Sequence, residues 1–79
     1  MSDEPPQIRG NLSADDIAEL MAIGQAAGEP VLSIVARDAT SAEITTGYPV
    51  TRTTGHGMEL LAQKMGGHWV KVAGTPWRA

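Results

Sequence analysis

The arrangement in this chain closest to acid–base or metal chemistry is Gly55-His56-Gly57 followed by Glu59. A histidine between two glycines has exposed, pliant backbone, and an imidazole titrates near neutral pH. Strand geometry works against the pair. In a strand beginning at Gly57, positions 56 and 59 project to opposite faces unless a bulge intervenes. The other histidine, His68, follows a Gly66-Gly67 turn that places it beside Met65, away from His56. His56 therefore reads as a structural or contact residue. Ser13, Ser33 and Ser41 have no histidine nearby in sequence, so a hydrolytic triad has no visible basis. The nine glycines form no phosphate-cradling loop. There is no cysteine, which excludes disulfides, thiolate catalysis, Cys-ligated zinc and iron–sulfur chemistry. Two histidines are a poor basis for a metal site. The sequence predicts no catalytic residue, no metal and no cofactor.

The residues best suited to a contact surface are Tyr48, Arg52, His56, Trp69 and Trp77, because aromatic and Arg side chains dominate binding hot spots. Trp69 has a competing role. A small core without Phe needs large side chains, and this favours Trp69 as core. Trp77 suits a C-terminal latch or a contact about equally. Thr51 to Thr54 with Arg52 has the composition of an anion contact, and equally that of a polar loop.

These residues need elements to hold them. Met1 to Asn11 carries Pro5-Pro6 and little to bury, and is expected to be a disordered tail. Ser13 then fits a helix N-cap, with Asp16 completing a Ser-x-x-Asp capping box and Leu12 and Ile17 placed as a hydrophobic staple. Asp15, Asp16 and Glu19 suit the positive end of the helix dipole. Ile17, Leu20, Met21 and Gly24 follow the i, i+3, i+4, i+7 spacing of an apolar stripe, continued by Ala27. Gly24, on that stripe, permits close approach to a sheet. Gly28 and Pro30 end the helix, which is predicted over 14–27.

From Val31 the period changes. Strands are predicted at about 31–37, 41–46, 58–65 and 68–73, within one domain spanning 12–79. Asp38-Ala39-Thr40 reads as a turn, and 47–57 as a long connection. The segment 58–65 is made of helix-favouring residues, but Gly66-Gly67 followed by HWVKV is a strong hairpin signal and makes it a strand. The expected fold is α+β: one N-terminal amphipathic helix packed on a 3–4 stranded antiparallel meander sheet.

Leu61-Ala-Gln-Lys-Met-Gly-Gly-His-Trp69-Val-Lys-Val72 resembles a hairpin pattern, L-x-x-x-x-G-x-W-x-V, of NTF2-like and cystatin-like proteins, with one more residue between Leu61 and Gly67 and one more between Trp69 and Val72. The resemblance covers about 50 residues and includes the order of one helix followed by antiparallel strands. The extra N-terminal helices and the catalytic Asp/His set of NTF2-like enzymes have no counterpart here. The resemblance implies a helix on a curved sheet, used for dimerisation or for binding a ligand or protein on the concave face.

Bulk properties narrow the function classes. Net charge is −3, divided as −5 over residues 1–29 (Asp3, Glu4, Asp15, Asp16, Glu19 and Glu29 against Arg9) and +2 over 30–79 (Arg37, Arg52, Lys64, Lys71 and Arg78 against Asp38, Glu43 and Glu59). No dense basic stripe is present, which argues against nucleic acid. No apolar run approaches the roughly 20 residues of a membrane span. The polar, acidic start has no signal-peptide pattern, and a cytoplasmic setting is expected. At 79 residues the chain buries only roughly 60% of its unfolded surface, and one helix covers only one sheet face. These facts predict a non-enzymatic interaction or ligand-binding module, self-associating as a homodimer through the open sheet face or binding another protein. The alternatives are a minimal NTF2-like enzyme or ligand pocket using His56, Glu59 or Asp38, and an inhibitor or modulator offering its sheet or its 47–57 loop to a larger target.

Overall fold

The computed structural model describes residues 6–49 and 55–78. A short strand, β1 (Gln7–Arg9), leads into α1 (Ala14–Ala26), and four strands follow: β2 (Val31–Asp38), β3 (Ser41–Pro49), β4 (Gly55–Met65) and β5 (His68–Arg78). They form one five-stranded sheet in the order β1-β2-β3-β4-β5. β1 pairs parallel to β2, and the remaining neighbours are antiparallel. The fold is α+β, but the predicted 3–4 stranded antiparallel meander is corrected to a mixed five-stranded sheet.

The extra strand comes from the segment expected to be a disordered tail. Gln7, Ile8 and Arg9 align with Ser33, Ile34 and Val35 of β2. Three residues carry no period that a sequence can reveal. Their order comes from the backbone of β2, which β1 meets after the α1 crossover. Pairing also lengthens the other elements. β3 continues to Pro49, β4 begins at Gly55, and β5 runs through the predicted stop at Gly74 to Arg78.

The helix begins as its local chemistry dictates. The Ser13 hydroxyl accepts from the Asp16 N–H at 3.1 Å, and the Asp16 carboxylate accepts from the Ser13 N–H at 3.2 Å, giving a reciprocal capping box. α1 lies on one face of the sheet. Leu20 from the helix, Val31 and Ile34 from β2, Ala42 and Ile44 from β3, Leu60 and Ala62 from β4, and Trp69 from β5 make the buried core. Leu12, Met21, Ile23 and Met58 pack around it. At Gly24 helix and sheet approach closely: a Cβ there would lie 2.4 Å from the Val31 Cγ2. The β4–β5 turn uses Gly66 at φ 58° and Gly67 at φ 84°, the two successive left-handed residues that a two-residue hairpin of matching twist requires.

Candidate functional site

Strand alternation assigns the residues of each strand to two faces. Even-numbered residues of β3 and β4 face the helix: Ala42, Ile44 and Thr46 pair with Ala62, Leu60 and Met58. Odd-numbered residues therefore form the face opposite the helix. One cross-strand row there runs Ser33, Thr45, Glu59, Thr75, and the next runs Val35, Glu43, Leu61, Ala73. Arg9 aligns with Val35 at the β1 end, and Val70 pairs with Gln63 near the β5 end. Arg37 is an extra residue in β2, at a register shift between Ala36 and Asp38, and its Nη1 lies 3.6 Å from the Glu43 Oε1. Both side chains of this pair are more than half exposed, so it is held weakly.

This open face carries both kinds of chemistry a contact needs. Val35, Leu61, Val70 and Ala73 are apolar, while Thr45, Thr75, Glu43, Glu59, Arg9 and Arg37 are polar or charged. A cavity of about 260 Å³ opens on it, lined by Arg37, Glu43, Thr45, Glu59, Leu61 and Thr75 among others. Glu59 sits between two threonines, its cross-strand neighbours on either side. The charges divide across the sheet: Arg9 and Arg37 lie on the β1–β2 half, Glu43 and Glu59 on the β3–β4 half.

The residues expected to make contacts are distributed differently. Tyr48 is 47% exposed, faces His56 across β3 and β4, and has its ring 5.7 Å from the imidazole. The His56 Nε2 lies 3.6 Å from the Glu29 Oε2. His56 also lines a second cavity, of about 450 Å³, with Glu29, Gly57, Pro76, Trp77 and Arg78. Trp77 belongs to β5, and its indole covers the facing Gly47 and Gly57: a Cβ on either glycine would come within 2.8 Å of the ring. Its Nε1 donates to the Thr46 carbonyl at 2.7 Å. Trp77 is thus a latch across β3 and β4. Trp69 lies in the core, 5% exposed, beneath the start of the helix. Arg52 and the Thr51–Thr54 segment lie outside the described residues.

The three residues considered for a minimal active site do not converge. His56 is on the helix side at one end of β4, and Glu59 is on the opposite face. Asp38 is the last residue of β2, and its Oδ1 accepts from the Thr40 N–H at 2.8 Å and the Thr40 hydroxyl at 3.2 Å. The Thr40 backbone N–H, more than any other group, holds the Asp38 carboxyl below its ordinary pKa. Among the described residues no three His, Asp or Glu side chains gather as metal ligands, and no helix is long and apolar enough to cross a membrane.

Arg37, Glu43, Thr45 and Thr75 were not foreseen as surface-defining residues. The alternation in Ser41–Thr46 carried a signal for two of them, since Glu43 and Thr45 share a face opposite Ala42 and Ile44. Arg37 joins them only through the register shift in β2. No protein family, curated protein or solved structure matches the chain.

Proposed function

We propose that this chain is a non-enzymatic protein-interaction module that self-associates through the sheet face opposite its helix. The observation that carries the proposal is the division of charge on that face. A two-fold axis running along the strands would lay the basic β1–β2 half of one copy over the acidic β3–β4 half of the other. A two-fold dimer needs such a self-complementary surface. Val35, Leu61 and Ala73 supply apolar area next to these charges. The molecule measures 38 by 24 Å in its two long dimensions, a footprint on the order of the 800 Å² per partner that stable interfaces bury. This use of the sheet is also what the resemblance to NTF2-like and cystatin-like proteins implies. A cytoplasmic setting goes with the proposal, because a chain without cysteine depends on no oxidising compartment.

Sedimentation velocity over about two decades of concentration tests it, since mass action governs the association. The wild type should shift from monomer to dimer. The variants Arg9→Glu/Arg37→Glu and Glu43→Arg/Glu59→Arg should each remain monomeric alone and should pair when mixed. A wild type that stays monomeric throughout, or charge variants that self-associate like it, overturns the proposal.

A second reading, a small-ligand site on the same face, is favoured by the 260 Å³ cavity with Glu59 set between Thr45 and Thr75. A carboxylate and two flanking hydroxyls suit a primary ammonium group. Saturable chemical-shift changes at Thr45 and Thr75 on adding a simple alkylamine, lost in Glu59→Gln, would favour this reading over self-association.

A further inference from the structure

The sheet has two edges. β1 is three residues long, whereas β5 is eleven residues long and leaves Val70 and Val72 about 40% exposed. An exposed edge strand of that length is a template on which further chains add. Which backbone groups it offers follows from the register. Residues of an antiparallel pair alternate between exchanging hydrogen bonds with their partner and turning away from it. On β4 the even-numbered residues turn toward β3, as the Lys64 N–H donating to the Thr40 carbonyl at 2.8 Å shows. Their partners on β5, Trp69, Lys71, Gly74, Pro76 and Arg78, therefore turn their backbone outward.

Three of the features along this edge obstruct an incoming strand. The Trp69 N–H is already taken: it donates to the Glu19 Oε1 of α1 at 2.9 Å, and the same oxygen lies 3.5 Å from the His68 Nδ1. Pro76 has no N–H to offer. Between them, the register shift opposite Leu61 and Ala62 makes Val72 an extra residue and bends the edge. The outward donors that remain are those of Lys71 and Gly74, either side of the bulge, and that of Arg78 at the end. The aliphatic stem of Lys71 reaches to 3.5 Å from where a Gly74 Cβ would lie, placing its charge beside the same stretch.

We infer that Glu19, the Val72 bulge and Pro76 together close the β5 edge to strand addition, with Glu19 acting as a plug donated by the helix. The occupant they exclude is β5 of a second copy, whose antiparallel addition would join two sheets and leave the next edges free to continue. The inference is independent of association through the open face, which uses the opposite side chains.

Amide hydrogen exchange and light scattering test it together. In the wild type the Trp69 amide should exchange at least about fivefold more slowly than the outward amides of Lys71 and Gly74 once corrected for intrinsic rates, as one hydrogen bond implies. In Glu19→Ala this difference should vanish. In Glu19→Gln it should survive, because the amide oxygen still accepts. Glu19→Ala combined with Pro76→Thr should form large, thioflavin-binding assemblies at concentrations where the wild type and Glu19→Gln do not. Face-to-face dimers would appear at fixed size in every variant, so their presence or absence does not affect the reading. Equal wild-type exchange at Trp69, Lys71 and Gly74 overturns the inference. So does a folded double variant whose assembly state is unchanged from the wild type. If the double variant does not fold, the exchange comparison of wild type with Glu19→Ala still decides the role of Glu19, and a Trp69 amide that stays equally slow in Glu19→Ala overturns it.

Discussion

The indole of Trp69 donates to the Oδ1 of Asp16 at 2.9 Å, joining the first turn of the helix to the last hairpin across more than fifty residues of chain. The same oxygen accepts the Lys64 ammonium at 2.9 Å, while the other oxygen of Asp16 caps the Ser13 N–H. One carboxylate therefore caps the start of the helix and fastens it to β4 and β5. These donors hold the Asp16 carboxyl well below the usual carboxylate range, the Trp69 indole most of all, then Lys64, then the Ser13 backbone.

A pH dependence follows. A carboxylate whose folded-state pKa lies below its unfolded value, about 3.9, contributes stability that is fully present above that value and is lost as pH falls toward the folded pKa. Denaturant titrations should show wild type more stable than Asp16→Asn at pH 6, with the gap narrowing steadily below about pH 4. Asp38 titrates in the same direction, and comparison with Asp16→Asn separates the two. A gap that stays constant with pH would exclude Asp16 as the source.

Gly24 should resist substitution although it lies inside a helix. Alanine gains roughly 1 kcal/mol of helix propensity. Its Cβ would also lie 2.4 Å from Val31 Cγ2 and 3.1 Å from Ile44 Cγ2. Overpacking of this kind costs about 1–3 kcal/mol, so Gly24→Ala should bring no net gain and should destabilise by up to about 2 kcal/mol, read from urea midpoints.

Thr46 gives a prediction of the opposite sign. It is fully buried, and its hydroxyl has no hydrogen-bond partner among the described residues. Thr46→Val keeps the branched shape and removes the unpaired hydroxyl, and should raise stability by about 1 kcal/mol. Thermal melts of the two proteins check this.

The Trp77 latch separates ring packing from hydrogen bonding. Trp77→Phe retains an aromatic ring over Gly47 and Gly57 and loses the bond to the Thr46 carbonyl, for a cost of about 1 kcal/mol. Gly57→Ala would place a Cβ 1.8 Å from the Thr46 oxygen and 2.6 Å from the indole nitrogen. It should cost at least about 3 kcal/mol or prevent folding. Circular dichroism with chemical denaturation distinguishes the two outcomes.

Much of the site was only partly legible in the sequence. Trp69 could be assigned to the core because a chain without phenylalanine has few large side chains to fill one. Its link to Asp16 could not be read, because nothing local connects residues 16 and 69. The capping-box role of Asp16 was visible through its spacing from Ser13, whereas its role in fastening the hairpin was not. Tyr48, His56 and Trp77 stood out by residue type. The charges that share the open face with Glu59 did not, because Arg37 and Glu43 look like ordinary solvated charges until the register sets them on one surface.

What the sequence determined by itself was local. The helix start follows from Ser13, Asp16 and the staple residues within one turn of each other. The β4–β5 turn follows from two adjacent glycines. The helix-favouring residues of 58–65 become strand because pairing on both sides outweighs propensities that differ by tenths of a kcal/mol per residue. Tertiary structure alone decided the parallel strand β1, the faces on which Arg37 and Glu59 emerge, and the plugging of the Trp69 N–H by Glu19. Each of these depends on pairing between strands or on a contact between helix and sheet, and a local period carries no record of such a contact.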